Sequence, residues 1–293
     1  MNRLAAFLLA ILFATVTVSS ACVAAPSDWL RFTLDGEGSG GRIHASFRDE
    51  SRARGDGNWS TGFDPSDLAG LDVASFRASG SRPIHFSLVR EAGRLDCSGN
   101  GGDRHAAGNC TFTPDPAFTQ LLASRGIGQP TRAEAFGLMA LDVRRALVDG
   151  LVAAGYPTPS IDDLMALTAL GANRAYIDGM ARAGYRPKSL KSLIEFKALG
   201  ITPEWISGFA RIGYANMPGD DLVQLKALGV TPDFIAGFNR AGYGRLAVDQ
   251  LVQLKALGVT PDYALAANRQ ADRRLSVDQL VEMKALGLGP RRR

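Results

Sequence analysis

From Pro116 onward the apolar residues fall in short clusters that recur every 29 residues. A glycine preceded by leucine stands at Gly171, Gly200, Gly229, Gly258 and Gly287, and a tyrosine preceded by glycine at Tyr156, Tyr185, Tyr214 and Tyr243. Thr202-Pro203, Thr231-Pro232 and Thr260-Pro261 keep the same register, with an aromatic two residues after each proline: Trp205, Phe234 and Tyr263. Running the frame backwards finds altered copies. Tyr176 and Leu147 hold the aromatic slot, Asp115-Pro116-Ala117-Phe118 restores the whole opening, and Asp142 takes the glycine slot of the first unit. Six units tile Pro116 to Gly289 without insertion or deletion. A fixed period of this length is the signature of a stacked repeat array.

Within a unit the spacing predicts two short helices. In the unit opening at Thr231, the threonine is an N-cap and Pro232 sits at the first helical position, where its missing N–H costs nothing. Phe234, Ile235 and Phe238 form one apolar face, and Gly242 ends the helix in a left-handed conformation. Val248, Leu251 and Leu254 mark a second helix that Gly258 closes. Thr131 with Glu134, Ser160 with Asp163 and Ser276 with Gln279 resemble capping boxes, whereas Pro218 and Ala247 fill that slot without a capping side chain. Helices of about ten residues are marginal alone, so their stability must come from stacking into a continuous core.

The segment before the array changes period. Trp29 to Leu34, Arg42 to Arg48, Pro83 to Arg90, Arg94 to Ser98 and Asn109 to Thr113 read as strands, with Ile84 to Val89 the clearest alternation. A short helix is expected at Pro65 to Leu71. The fold class is therefore α+β: a small antiparallel β domain over 26–114, as a sandwich or curled sheet, then a helix-pair solenoid over 115–289 and a basic tail over 290–293. Cys97 and Cys110 flank a Gly-rich stretch at a hairpin base. In an oxidising compartment they are expected to form a disulfide, worth about 3 kcal/mol in the chain-entropy model.

Residues 1–25 read as a signal peptide: Arg3, an apolar run from Leu4 to Val18, then small residues from Ser19 to Ala25. The run is too short for a membrane span, and nothing later in the chain could cross a bilayer. Ser19-Ser20-Ala21-Cys22 resembles a lipobox with serine in place of the usual leucine, so a lipid anchor at Cys22 is the alternative to soluble export. The expected location is periplasmic or secreted. The formal net charge is +4, a surplus that Arg291, Arg292 and Arg293 largely supply, so no nucleic-acid footprint is indicated.

Chemical motifs are few. Gly36 to Gly41 matches G-x-G-x-x-G, but the alternating Arg42 to Phe47 makes it a hairpin turn, because the dinucleotide fingerprint needs a helix to follow. His44, His85 and His105 are too scattered to suggest zinc ligation, and neither G-x-S-x-G nor S-x-x-K occurs. No catalytic, cofactor or metal residue is assigned. The carboxylates of Asp96 and Asp103 could meet His105 around the hairpin, and a site near His85, Asp103 and His105 is the enzyme alternative. Lys197, Lys226, Lys255 and Lys284 recur at one place on the second helix, where Thr168 and Met139 stand in earlier units. They read either as a ladder for an acidic partner or as a solvated stripe whose stems cover apolar surface, the simpler reading. The periodic tyrosine reads as a helix-end packing residue.

The run Asp249-Gln250-Leu251-Val252-Gln253-Leu254-Lys255-Ala256-Leu257-Gly258-Val259-Thr260-Pro261-Asp262, with the Gly-Tyr pairs, resembles a bacterial helical repeat. That repeat occurs in exported proteins and in the extracytoplasmic tails of some M56/BlaR-type membrane metallopeptidases. The resemblance spans Pro116 to Gly289, and Phe86 to Gly93 with Phe112 to Phe118 is similar to the β segment that accompanies such repeats. It implies a bacterial envelope location and sensing, and the repeat array itself is expected to be a protein-interaction surface. It implies no protease activity, since the zincin motif and membrane helices of the peptidases are missing. The expected partner is another envelope protein; the structural lipoprotein and the envelope enzyme are the competing readings.

Overall fold

The computed structural model describes residues 29–37, 41–49 and 58–289. Residues 1–25, expected to be a signal peptide, with Cys22 among them, and the basic tail over 290–293 lie outside the described residues. Six strands come first: β1 (Trp29–Glu37), β2 (Ile43–Asp49), β3 (Asn58–Phe63), β4 (Arg82–Arg90), β5 (Gly93–Gly102) and β6 (His105–Pro114). They form one antiparallel sheet in the order β3-β2-β1-β6-β5-β4, so the sandwich option is not taken up among the described residues. Period-two alternation buries one face, with Phe32, Leu34, Ile43, Phe47, Ile84, Phe86, Leu88, Leu95 and Phe112 at its centre. Leu68, beyond a 3-10 turn (Pro65–Asp67), and Phe76, on helix α1 (Val73–Arg77), join that core.

Three elements differ from the sequence expectation, the first being the helix expected at Pro65 to Leu71, which is only the 3-10 turn, with α1 following it. β3 pairs with β2 although Asn58-Trp59-Ser60-Thr61-Gly62-Phe63 is too polar to alternate clearly; Trp59 stacking on Phe47, with centroids 5.0 Å apart, holds it there. The Gly-rich stretch after Cys97 is not a loop, because β5 and β6 run through it to a two-residue turn at Asp103-Arg104. A Cβ at Gly99, Gly101 or Gly108 would collide with backbone of the paired strand, and one at Gly102 with the backbone of Ala78 and Gly80, so these glycines mark where backbones approach closely. The cysteines therefore face each other in mid-ladder rather than at a hairpin base. They are directly paired, with Cα atoms 4.0 Å apart, and disulfide-bonded.

The array is six helix pairs at a constant 29-residue pitch. First helices are α2 (Pro116–Ser124), α4 (Arg145–Ala153), α6 (Arg174–Arg182), α8 (Pro203–Arg211), α10 (Pro232–Arg240) and α12 (Pro261–Ala271). Second helices are α3 (Arg132–Ala140), α5 (Ile161–Ala169), α7 (Leu190–Ala198), α9 (Gly219–Ala227), α11 (Val248–Ala256) and α13 (Val277–Ala285). First helices pack on first helices and second on second, which makes two layers with one continuous core. The recurring dipeptides are the helix stops. Each Gly-Tyr glycine has positive φ, 69° at Gly155 and 88° at Gly242 for example, and the tyrosine N–H returns to the carbonyl five residues back, as Tyr243 does to Phe238. The Leu-Gly stop works the same way, with Val259 N–H bonded to Leu254 and the Val259 side chain fully buried. Asp142 takes the left-handed conformation in the first unit, φ 61°, a slot aspartate tolerates better than most residues. In the sixth unit Ala271 replaces the glycine, and the helix runs on to it before Asp272 makes the left-handed turn.

Glycines in the middle of the first helices set the stacking distance. A Cβ built on Gly179, Gly208 or Gly237 would stand 2.8, 2.8 and 2.6 Å from the ring Cγ of Pro203, Pro232 and Pro261, the opening proline of the next unit. In the last unit the same slot holds Ala266.

The sheet seats on the first unit through the β4–β5 turn. The Arg90 guanidinium lies over the Trp59 ring at 5.2 Å and donates to the carbonyls of Met139 and Ala140, at 2.8 and 2.6 Å, at the C-terminus of α3. Glu91 accepts from the Arg145 N–H at 2.7 Å, at the N-terminus of α4. Cation at a helix C-terminus and anion at an N-terminus match the two ends of the helix dipole. Phe136 of α3 completes the seam against Phe112 and Trp59, with centroids 5.5 and 6.4 Å away.

Candidate interaction surface

The periodic lysines lie where the second helix of a unit ends beside the start of the first. Each ammonium stands over the aromatic ring of its own unit: Lys197 over Tyr176 at 4.6 Å, Lys226 over Trp205 at 5.2 Å, Lys255 over Phe234 at 4.9 Å and Lys284 over Tyr263 at 5.0 Å. The side chains are half-buried, and their stems pass the glycine that closes the preceding second helix: the Lys226, Lys255 and Lys284 Cε atoms lie 4.0 Å from where a Cβ on Gly200, Gly229 and Gly258 would stand. The first unit keeps a ring, Phe118, but has Met139 in the lysine slot. The second unit has Leu147 in the ring slot and Thr168 in the lysine slot, where the threonine hydroxyl instead bonds the Leu164 carbonyl at 2.8 Å. Such a pairing is worth about 0.5–1 kcal/mol at an exposed site and holds the ammonium in one place. Beside each lysine, the leucine before the stop glycine is partly open, 37% exposed at Leu199 and 40% at Leu257. Among the described residues none of the four ammonium groups is paired with a carboxylate.

Two of the periodic tyrosines, Tyr214 and Tyr243, are packing residues with satisfied hydroxyls. Tyr214 donates to the Leu246 carbonyl at 2.8 Å and Tyr243 to the Leu275 carbonyl at 3.0 Å, tying each unit to the loop of the next. Burial holds the phenol pKa of Tyr176, Tyr214 and Tyr243 above the usual tyrosine value.

A second cationic row was not singled out from the sequence, although the same 29-residue frame contains it. Arg182, Arg211, Arg240 and Arg269 occupy the last turn of α6, α8, α10 and α12, all exposed. The Nη2 atoms of Arg182, Arg211 and Arg240 lie 3.8, 3.8 and 3.9 Å from where a Cβ on the mid-helix glycine would stand. The guanidinium groups thus fold back over Gly179, Gly208 and Gly237 along the first-helix layer.

In the β domain, His85, Asp103 and His105 do not converge. His85 pairs in register with Ser98, four residues along β5 from Gly102, the partner of His105. The Asp103 carboxylate accepts from the Gly80 N–H at 3.3 Å, and His105 Nδ1 meets Asp35 at 2.8 Å on open surface. His85, Ser87, Asp96 and Ser98 do line one open groove of about 400 Å³ beside Gly70. There Arg94 and Ser87 hydrogen-bond Asp96 and hold its carboxyl below the usual range, so it stands as a paired anion. Among the described residues there is no cluster of three or more potential metal ligands and no helix long and apolar enough to cross a membrane. No protein-family model matches this chain, and no curated protein matches it at a significant level.

Proposed function

We propose that this chain is a non-enzymatic repeat protein of the bacterial envelope, exported by its leader, in which the helical array is a protein-interaction or sensing surface. The β domain acts as the cap that closes the array's first unit. One observation carries the reading: ring, ammonium and half-open leucine recur at one place in four consecutive units, which offers an extended partner the same contact at a regular pitch. The Arg90 and Glu91 seam supports the capping role, since a stack needs its terminal apolar face covered. The leader and the resemblance to M56-type repeat tails support the envelope location.

The test is excision by whole units. Removing Pro203 to Thr231 joins Thr202 to Pro232 and keeps each cap and core position in register. That variant folds, with proportionately less helix by circular dichroism, whereas removing about 14 residues joins helices of opposite layers and does far worse. Crosslinking pull-down from intact cells then finds a partner whose affinity falls as units are removed. A partner indifferent to the excision, or an activity lost in His85→Ala with folding intact, moves the function to the β domain. Mass spectrometry of the mature N-terminus tests export: a start near Ala25 or Pro26 supports it, and a diacylglycerol on Cys22 makes the protein an anchored lipoprotein instead.

A further inference from the structure

The two cationic rows are not equivalent. The lysines are half-buried and each already faces a π-system. The arginines are exposed, and among the described residues none of Arg182, Arg211, Arg240 and Arg269 has a carboxylate partner. Each last-turn arginine favours the dipole of its own helix, but the guanidinium groups of Arg182, Arg211 and Arg240 fold back over the mid-helix glycine and leave their donors open to a ligand. The row is confined to four units: Ser124 and Ala153 hold the slot in the two units beside the β domain. The structure thus presents four planar, bidentate donors in line along one layer, at the spacing of packed helices, about 8–10 Å.

That pitch selects the shape of an occupant. In an extended β-strand, residues on one face recur about every 6.6–6.8 Å, too short for one contact per unit. A polyproline II helix has three residues per turn and a rise of about 3.1 Å per residue, so each third residue returns to the same face about 9.3 Å on. We propose, on the reading of the array as an interaction surface, that the Arg182–Arg211–Arg240–Arg269 row binds an acidic protein segment in polyproline II conformation, with a carboxylate at each third residue and one carboxylate per guanidinium. Four such contacts span about 28 Å, close to four packed helices. The backbone of such a segment has no internal hydrogen bonds and little freedom left to lose, so a row of charge-assisted pairs suffices to hold it.

The experiment uses the full mature chain and two end-blocked peptides of one composition: four Glu-Pro-Pro triplets, and four glutamates followed by eight prolines. By fluorescence anisotropy the triplet peptide binds at least tenfold more tightly than the block peptide, and binding weakens as salt rises. The quadruple variant R182Q/R211Q/R240Q/R269Q loses at least tenfold in affinity with an unchanged circular dichroism spectrum. Equal affinity for the two peptides overturns the register, and so does equal displacement of both by inorganic polyphosphate, which marks a generic polyanion surface. No binding of the triplet peptide, or an unaffected arginine variant, overturns the row itself. A cellular partner whose capture depends on the array but not on these arginines also overturns the row, yet leaves the proposed function standing; loss of unit dependence is what removes that function.

Discussion

Gly208→Ala tests whether the stack is set by a close contact or by helix propensity, because the two act with opposite sign. Alanine in a helix interior is better than glycine by about 1 kcal/mol. Against this, the new Cβ stands 2.8 Å from Pro232 Cγ and 3.6 Å from its Cβ, and that ring is rigid and anchored at the start of α10. One unit must move against the next by a few tenths of an ångström, and overpacking of this kind costs about 1–3 kcal/mol. The net expectation is a loss of about 1 kcal/mol. Pro232→Ala removes the offending Cγ, so the pair Gly208→Ala with Pro232→Ala is coupled: the double variant is more stable than the sum of the singles by about 1 kcal/mol. Urea unfolding followed by circular dichroism at 222 nm measures all three variants. If Gly208→Ala is at least as stable as the parent chain and uncoupled from Pro232, the proline-on-glycine contact does not set the stacking.

Three further outcomes are expected. Arg90→Gln, which strips the Met139 and Ala140 carbonyls of a charged donor, lowers stability by about 2–3 kcal/mol, and Arg90→Lys does not restore it; an effect below about 0.5 kcal/mol shows the seam to be incidental. Cys97→Ser with Cys110→Ser destabilises by about 3 kcal/mol, and thiol labelling of the unreduced, denatured parent chain finds neither cysteine free. Burial raises the folded-state pKa of Tyr156, Tyr176, Tyr185, Tyr214 and Tyr243 above the unfolded value. The stability this contributes is intact below about pH 10 and lost as pH rises through the folded-state values. Phenolate absorbance at 295 nm therefore rises together with loss of helix, and ionisation of these tyrosines near pH 10 with full helix content retained refutes their burial.

The array was legible in the amino-acid order because each unit carries its own stops and caps. Thr-Pro, Gly-Tyr and Leu-Gly act through bonds no more than five residues apart, as in Tyr243 to Phe238, and local bonds leave local patterns. Tertiary packing decided the rest, where one residue's role depends on another far away. Polar Asn58–Phe63 becomes a strand because the Phe47 ring waits for Trp59, and glycines that signal turns by themselves become strand residues where backbones approach too closely for a Cβ. Lys255 is an exposed charge in the sequence and a cation on the Phe234 ring in the fold. His85, Asp103 and His105 could have been neighbours in sequence terms, but the register of β4 on β5 and β5 on β6 holds them apart. Arg90 shows the division most plainly: the chain marks it only as the end of a strand. The two helix carbonyls it binds lie about fifty residues on, and no local pattern encodes a contact across that distance.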